Sequence, residues 1–294
     1  MSETDQERRH AITGRARVAG VMGWPVDHSL SPRLHSYWLE QYDIDGAYVP
    51  LPVHPDRLED AITGLRGLGF AGANVTVPHK EAVMPLLASI SPTARQIGAV
   101  NTLTVDGSGA VHGDNTDAEG YLASLGAAVD VETLRKAVVL GAGGAARAVA
   151  VGLLSRGVHR IVLANRTPAR AASLAEHLQG LGARVHQANW PPSKFDLHDA
   201  DLFVNTTSLG MAGQPPLVVS LEGLSAGAVV SDIVYTPLET ELLVAARNRG
   251  HRVVDGLGML LHQAGAGFEA WFGVRPEVTR TLRTHVLAAL EDRK

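Results

Sequence analysis

Lys136-Ala137-Val138-Val139-Leu140-Gly141-Ala142-Gly143-Gly144-Ala145-Ala146-Arg147 is the stretch that decides the fold. Its first five residues are mostly apolar and read as a buried strand, and the small residues from Ala145 to Ser155 read as a helix. Gly141 and Gly143 fill the first two positions of a G-x-G-x-x-G turn, with Ala146 at the third, an accepted variant. Gly141 suits the tight turn. Gly143 lets the backbone approach a pyrophosphate, whose charge would meet the N–H groups at the helix N-terminus. A glycine-rich helix start without a ligand has the same local sequence. What gives the turn weight is its place between a strand and a helix. Gly141, Ala142, Gly143, Gly144 and Ala145 are therefore candidates for holding a dinucleotide.

The next strand, Arg160–Ala164, ends in Asn165-Arg166-Thr167. A site for NAD usually places an acid there to hold the ribose 2′-hydroxyl. An arginine instead pairs with a 2′-phosphate and stacks on adenine, and Arg170 lies one turn further on. The expected cofactor is NADP rather than NAD, the alternative being a solvated Arg166. Residues 202–205, 229–233 and 252–254 read as further strands. Thr206-Thr207-Ser208 and Val234-Tyr235 follow two of them, at the edge where α/β sheets bind ligands. Beyond Met259 the chain reads as two helices, 259–272 and 276–290.

Upstream lies a second α/β pattern. Strands are expected at 17–22, 47–51 and 73–77, with a hairpin of 100–104 and 111–113 around Asp106-Gly107-Ser108-Gly109. Helices are expected at 32–42, with Ser31 as cap and Leu34, Trp38 and Leu39 buried, and at 58–65. Another helix is expected from Asp117 to Leu125. The fold class is thus α/β in two domains. A first domain with a mostly parallel sheet spans 1–116 and 256–294, so that the C-terminal helices return to it. A Rossmann-type dinucleotide domain spans 117–255. Residues 1–15 are polar and expected to be a disordered tail without catalytic function.

In the first domain Asn74-Val75-Thr76-Val77-Pro78-His79-Lys80 sets a lysine just past a β-branched run that Pro78 stops, at the head of a helix-like segment, 80–88. Only four lysines occur, Lys80, Lys136, Lys194 and Lys294, and the remaining cations are arginines. A lysine's proton affinity can be shifted into a working range, an arginine's cannot. Lys80 reads either as an acid/base group or as a solvated surface lysine.

Composition excludes several classes. There is no cysteine, so disulfides, thiolate metal sites and cysteine nucleophiles are out, and a cytoplasmic location fits. The 13 histidines are scattered, without a His-Glu-x-x-His arrangement, and no metal is expected. A net charge of −4 argues against nucleic acid, and no apolar run is long enough for a membrane helix.

Several segments together resemble one family. They are His28-Ser-Leu-Ser-Pro32, Asn74 to Lys80, Gly98-Ala-Val-Asn-Thr102, Gly113-Asp-Asn-Thr-Asp117, Gly141 to Ala145, Asn165 to Thr167, Asn205-Thr-Thr-Ser208, Asp232-Ile-Val-Tyr-Thr-Pro237, Asp255-Gly-Leu-Gly-Met259 and Gln263. From Val18 to Leu290 the chain is similar to the shikimate dehydrogenases and their quinate/shikimate relatives. The resemblance implies reversible reduction of 3-dehydroshikimate to shikimate by NADPH, a step of chorismate and aromatic amino acid biosynthesis. It makes Lys80 and Asp117 the pair that manages the proton. Asp117 would favour the charged lysine by Coulomb attraction, and burial would favour the neutral one. Ser29 and Ser31 would hold the substrate carboxylate, helped by Thr76 and Tyr235, while Asn74, Asn101 and Gln263 meet ring oxygens. Gly141 to Ala145, Asn165, Arg166, Thr167, Arg170, Thr206, Val234 and Gly256 would contact NADP. Taken singly, Ser31 and Asp117 also read as helix-cap residues, Asn74 as a strand-end turn and Gln263 as an ordinary polar face. Some members carry an acid ahead of the Gly98 segment. Residues 91–95 here hold none, so no role is carried over. The expected partner is the small-molecule substrate, with no nucleic acid or membrane, and a homodimer is allowed for. A relative that prefers quinate or NAD is the alternative.

Overall fold

A computed structural model of the protein describes residues 12–291. Met1–Ala11, most of the tail expected to be disordered, lie outside the described residues. Residues 12–15 depart from that expectation. The Thr13 N–H and hydroxyl both donate to the Asp45 carboxylate, at 3.1 and 2.5 Å. The chain divides into two compact units, one running to Thr116 and resuming at Ala264, the other from Asp117 to Gln263.

The first unit contains β1 (Arg17–Gly23), α1 (Ser31–Gln41), β2 (Gly46–Pro52), α2 (Leu58–Gly67), β3 (Gly72–Val75), α3 (His79–Ala82), β4 (Ser89–Ile90), α4 (Pro92–Ile97), β5 (Thr102–Val105) and β6 (Val111–Asp114). Its sheet runs β2-β1-β3-β5-β6-β4. β1 is parallel to both neighbours, and β5 is antiparallel to β3 and β6. One core packs Met22, Val75 and Leu103 against Leu58, Ile62 and Leu65 of α2. Elsewhere in the unit Trp38 and Tyr48 pack with Phe268 and Trp271 from the C-terminal part of the chain. Leu34, Trp38 and Leu39 of α1 are buried as their helical spacing predicts.

Local chemistry moves three boundaries. Ser31 does not cap α1. It is the first helical residue, Leu30 stands at the cap, and the Ser29 hydroxyl accepts the Ser31 N–H at 3.2 Å. β3 stops at Val75, two residues before the expected end, since its ladder to β5 ends at Asn74 opposite Thr102. The expected helix over 80–88 breaks after Ala82 into a 3-10 turn, Met84–Leu86, because Pro85 has no N–H to continue an α-helix.

The second unit contains α5 (Asp117–Gly126), β7 (Lys136–Leu140), α6 (Gly144–Ser155), β8 (Arg160–Ala164), α7 (Pro168–Gly180), β9 (Arg184–Ala188), α8 (Lys194–Leu197), β10 (Leu202–Asn205), β11 (Val229–Asp232), α9 (Glu241–Asn248) and β12 (Arg252–Val254). α7, β9 and α9 had no sequence expectation. α10 (Gly256–Phe272) begins here and carries the chain to the first unit, where α11 (Arg280–Glu291) packs on α1. The sheet is fully parallel, in the order β12-β11-β10-β7-β8-β9. Its order reverses between β7 and β10, and the crevice at the carboxyl ends of those strands is where such sheets bind ligands. The predicted Gly141–Ala145 turn leads out of β7 at that crevice.

Candidate active site

In the first unit the predicted substrate residues gather at the carboxyl ends of β1 and β3. Ser29 sits in the loop after β1, and Ser31 opens α1 with 6% exposure. Asn74, at the end of β3, is buried and fully oriented. The Tyr48 hydroxyl donates to its Oδ1 at 2.6 Å, and its Nδ2 donates to the Asn101 carbonyl at 3.1 Å and to Thr102 Oγ1 at 3.3 Å. Asn101 follows in the same network. Its Oδ1 accepts from the Thr116 N–H at 2.9 Å and the Thr102 hydroxyl at 2.8 Å, and its Nδ2 donates to Thr116 Oγ1 at 3.0 Å. The structure thus links Tyr48, Asn74, Asn101 and Thr116, far apart in sequence, through buried polar groups.

The lysine segment is held from two sides. His79, 1% exposed, donates from Nε2 to the Val53 carbonyl at 2.7 Å. The Lys80 carbonyl accepts the Val100 N–H at 2.7 Å, next to Asn101. Thr76 is locked by its N–H to Met22 O at 2.8 Å and its carbonyl to the His79 N–H at 2.9 Å. Lys80 is half-buried. Sequence reasoning missed Tyr48 and His79. A buried tyrosine hydroxyl needs a partner, which was the available signal for Tyr48. Nothing local distinguishes His79.

In the second unit Asp117 is the first residue of α5 and is buried. Gln263, on α10, is 8% exposed and donates to the Leu260 carbonyl at 3.0 Å, and Gly120 of α5 packs directly on it. These side chains therefore stand on neighbouring helices.

The crevice at the carboxyl end of β7 is built from backbone. Gly141 has φ +113°, and a Cβ there would lie 2.6 Å from Thr206 Oγ1, whose hydroxyl donates to Leu140 O at 2.6 Å. Gly143 is the cap of α6 and offers no side chain to its N–H groups, and nothing lies within 4 Å of where its Cβ would be. That uncapped, open helix start fits a pyrophosphate. Ala142 is buried, while Gly144 and Ala145 form the first turn of α6. At the end of β8 the Asn165 amide donates to Thr167 O at 2.9 Å, leaving Arg166, Thr167 and Arg170 exposed along one rim.

Behind the crevice Asp232 organises the loops. It accepts from Asn205 Nδ2 at 2.9 Å, the Val234 N–H at 3.0 Å and the Thr240 hydroxyl at 2.8 Å. Burial pushes its carboxyl up to about 6 against the pull of those three donors. The network fixes Val234, 5% exposed, and leads into half-buried Tyr235. Gly256 has a packing reason of its own. A Cβ there would stand 2.2 Å from the Ile233 carbonyl oxygen, so only glycine lets α10 start against that loop.

Among the described residues no group of three or more His, Cys, Asp or Glu is placed to hold a metal ion. Nor is any helix among them long and apolar enough to cross a membrane.

Comparison with known proteins gives concordant results. The family model for the shikimate dehydrogenase substrate binding domain matches residues 21–103, and that for shikimate/quinate 5-dehydrogenase matches residues 127–210. The shikimate dehydrogenase (NADP(+)) of Paramagnetospirillum magneticum is 55% identical over 279 residues, 94% of this chain and 100% of that one. The crystal structure of shikimate 5-dehydrogenase from Thermus thermophilus in complex with NADP(H) and shikimate is 34% identical, with a TM-score of 0.81 over 95% of this chain and 100% of that one. The quinate dehydrogenase of Corynebacterium glutamicum in complex with NAD is 32% identical, with a TM-score of 0.85 over 93% of this chain and 99% of that one.

Proposed function

The chain belongs to the shikimate dehydrogenase family, and from that premise we propose that it catalyses the reversible, NADPH-dependent reduction of 3-dehydroshikimate to shikimate in aromatic amino acid biosynthesis. The observation that carries the reading is the buried array of Tyr48, Asn74, Asn101 and Thr116 beside a fixed, half-buried Lys80. It is a set of neutral hydrogen-bonding groups suited to a polyhydroxylated ring, next to a group able to exchange a proton.

When bound, NADPH supplies a hydride to the substrate's carbonyl carbon. The carbonyl oxygen then needs a proton, which the Lys80 ammonium gives and recovers from solvent. In the reverse direction the Lys80 amine takes the proton from the hydroxyl. Asp117 is assigned with Lys80 to that proton. Ser29 and Ser31 bind the carboxylate, with Thr76 and Tyr235 in support. Asn74, Asn101 and Gln263 take ring oxygens. On the cofactor side Gly141 to Ala145 receive the pyrophosphate at the start of α6, and Arg166, with Asn165, Thr167 and Arg170, takes the 2′-phosphate. Thr206 supports the glycine turn, while Val234 and Gly256 shape the wall beside it.

The absence of cysteine supports a reducing, cytoplasmic setting, and a homodimer is the proposed assembly. The test is an NADPH absorbance assay with shikimate and quinate, each against NADP and NAD. Turnover confined to shikimate with NADP is expected. Equal rates with quinate or NAD would move the chain to the broader-specificity relatives, and no turnover in any pair would refute the reading.

A further inference from the structure

The hydrogen bonds around Asn74 have a direction, and that direction constrains what Asn74 can recognise. The Asn101 carbonyl, 3.1 Å away, only accepts, so the amide group facing it must be the NH2. A flipped amide would set oxygen against oxygen. The second N–H goes to Thr102 Oγ1 at 3.3 Å, whose own proton goes to Asn101 Oδ1 at 2.8 Å. Both Asn74 donors are therefore spent. Its Oδ1 takes the Tyr48 proton at 2.6 Å, which leaves one lone pair. Tyr48 itself cannot turn away. It is 5% exposed and stacks on His35 at 3.9 Å with the rings 8° from parallel. His35 is fully buried and held neutral by that burial.

We propose that Tyr48 is a positioning residue that fixes Asn74 as a pure acceptor, so that this subsite reads a ring hydroxyl that stays a hydroxyl throughout the reaction. The assignment rests on the activity proposed above. A ketone oxygen cannot donate, so the reacting carbon, which alternates between ketone and alcohol, does not face Asn74.

Tyr48→Phe keeps the stack on His35 and removes only the hydroxyl. The KM for shikimate is expected to rise about tenfold, the net weight of one hydrogen bond inside a buried network, while KM for NADP and kcat stay within about twofold. The discriminating readout uses analogues of shikimate that lack one of the two non-reacting hydroxyls. Wild-type protein should lose about tenfold in affinity for one of them, and Tyr48→Phe should show a smaller loss for the same analogue. An unchanged KM for shikimate in the variant, or equal penalties in both proteins, would overturn the proposal. If the variant does not fold, the wild-type analogue series decides alone, because equal tolerance of both analogues also overturns it. Inactivity of the wild-type protein toward shikimate would instead refute the underlying activity, a separate outcome of the same assay.

Discussion

Replacing Arg166 by alanine tests how the cofactor is selected. Arg166 is exposed at the end of β8 and makes no ion pair or hydrogen bond among the described residues. Its removal leaves the bond from Asn165 Nδ2 to Thr167 O in place, so the loop should keep its shape. A charge-assisted contact to phosphate contributes about 1.5–3 kcal/mol, and an exposed position belongs at the lower end because solvent screens it. About 1.5 kcal/mol corresponds to roughly a tenfold rise in KM for NADP. NAD has no 2′-phosphate, so its KM should change little. The assay is initial-rate kinetics with both cofactors at low salt and near 1 M salt, where the Debye length falls from about 10 Å to about 3 Å. The tenfold difference should shrink at high salt. Equal losses with NADP and NAD, or a loss indifferent to salt, would refute the 2′-phosphate argument.

Three further outcomes are expected. Lys80→Ala should remove most turnover while NADPH binding, followed by its fluorescence, is retained, and wild-type turnover would take Lys80 out of the reaction. Gly256→Ala should destabilise the protein by about 1–3 kcal/mol in urea unfolding, because its Cβ meets backbone that has no rotamer to give, and an unchanged midpoint would contradict the packing. Asp232 has a folded-state value near 6, above the ~3.9 of an unfolded aspartate, so the folded state holds its proton more tightly. Its contribution is complete below about pH 4 and is lost as pH rises through 6, by about 3 kcal/mol in all. Asp232→Asn, which keeps an acceptor for Asn205 and Val234, should therefore flatten the melting-temperature profile between about pH 4 and 6, and parallel profiles would refute the shift.

Where local pattern carries the physics, the sequence and the structure agree. β7, the glycine turn and α6 are legible because strand, tight turn and helix start are each specified by adjacent residues, and Gly141 needs only its own positive φ to be recognised. The exposed place of Arg166 is legible as well, since the position after the second strand of such a unit is fixed by chain order. The edge strand β9 was not legible. Its Arg184-Val-His-Gln-Ala carries no continuous apolar run, because it is paired on one side only and largely exposed. The helix expected after Lys80 failed for a local reason, Pro85, that periodicity alone does not weigh.

By itself, then, the amino-acid order determined the fold class, the glycine turn between strand and helix with the arginine that follows the next strand, and the place of Lys80 just past a strand that Pro78 stops. Each of these depends on residues close in sequence, whose steric and charge preferences act without help from the rest of the chain. Tertiary structure alone decided how the recognition groups are aimed. Tyr48 meets Asn74, and Asn74 meets Asn101, because β2, β1, β3 and β5 lie side by side in register, and Asp232 meets Asn205 because β10 and β11 do. A hydrogen bond has a direction and a length of about 3 Å, so which amide donates and which accepts is fixed only when the strands that carry them are paired.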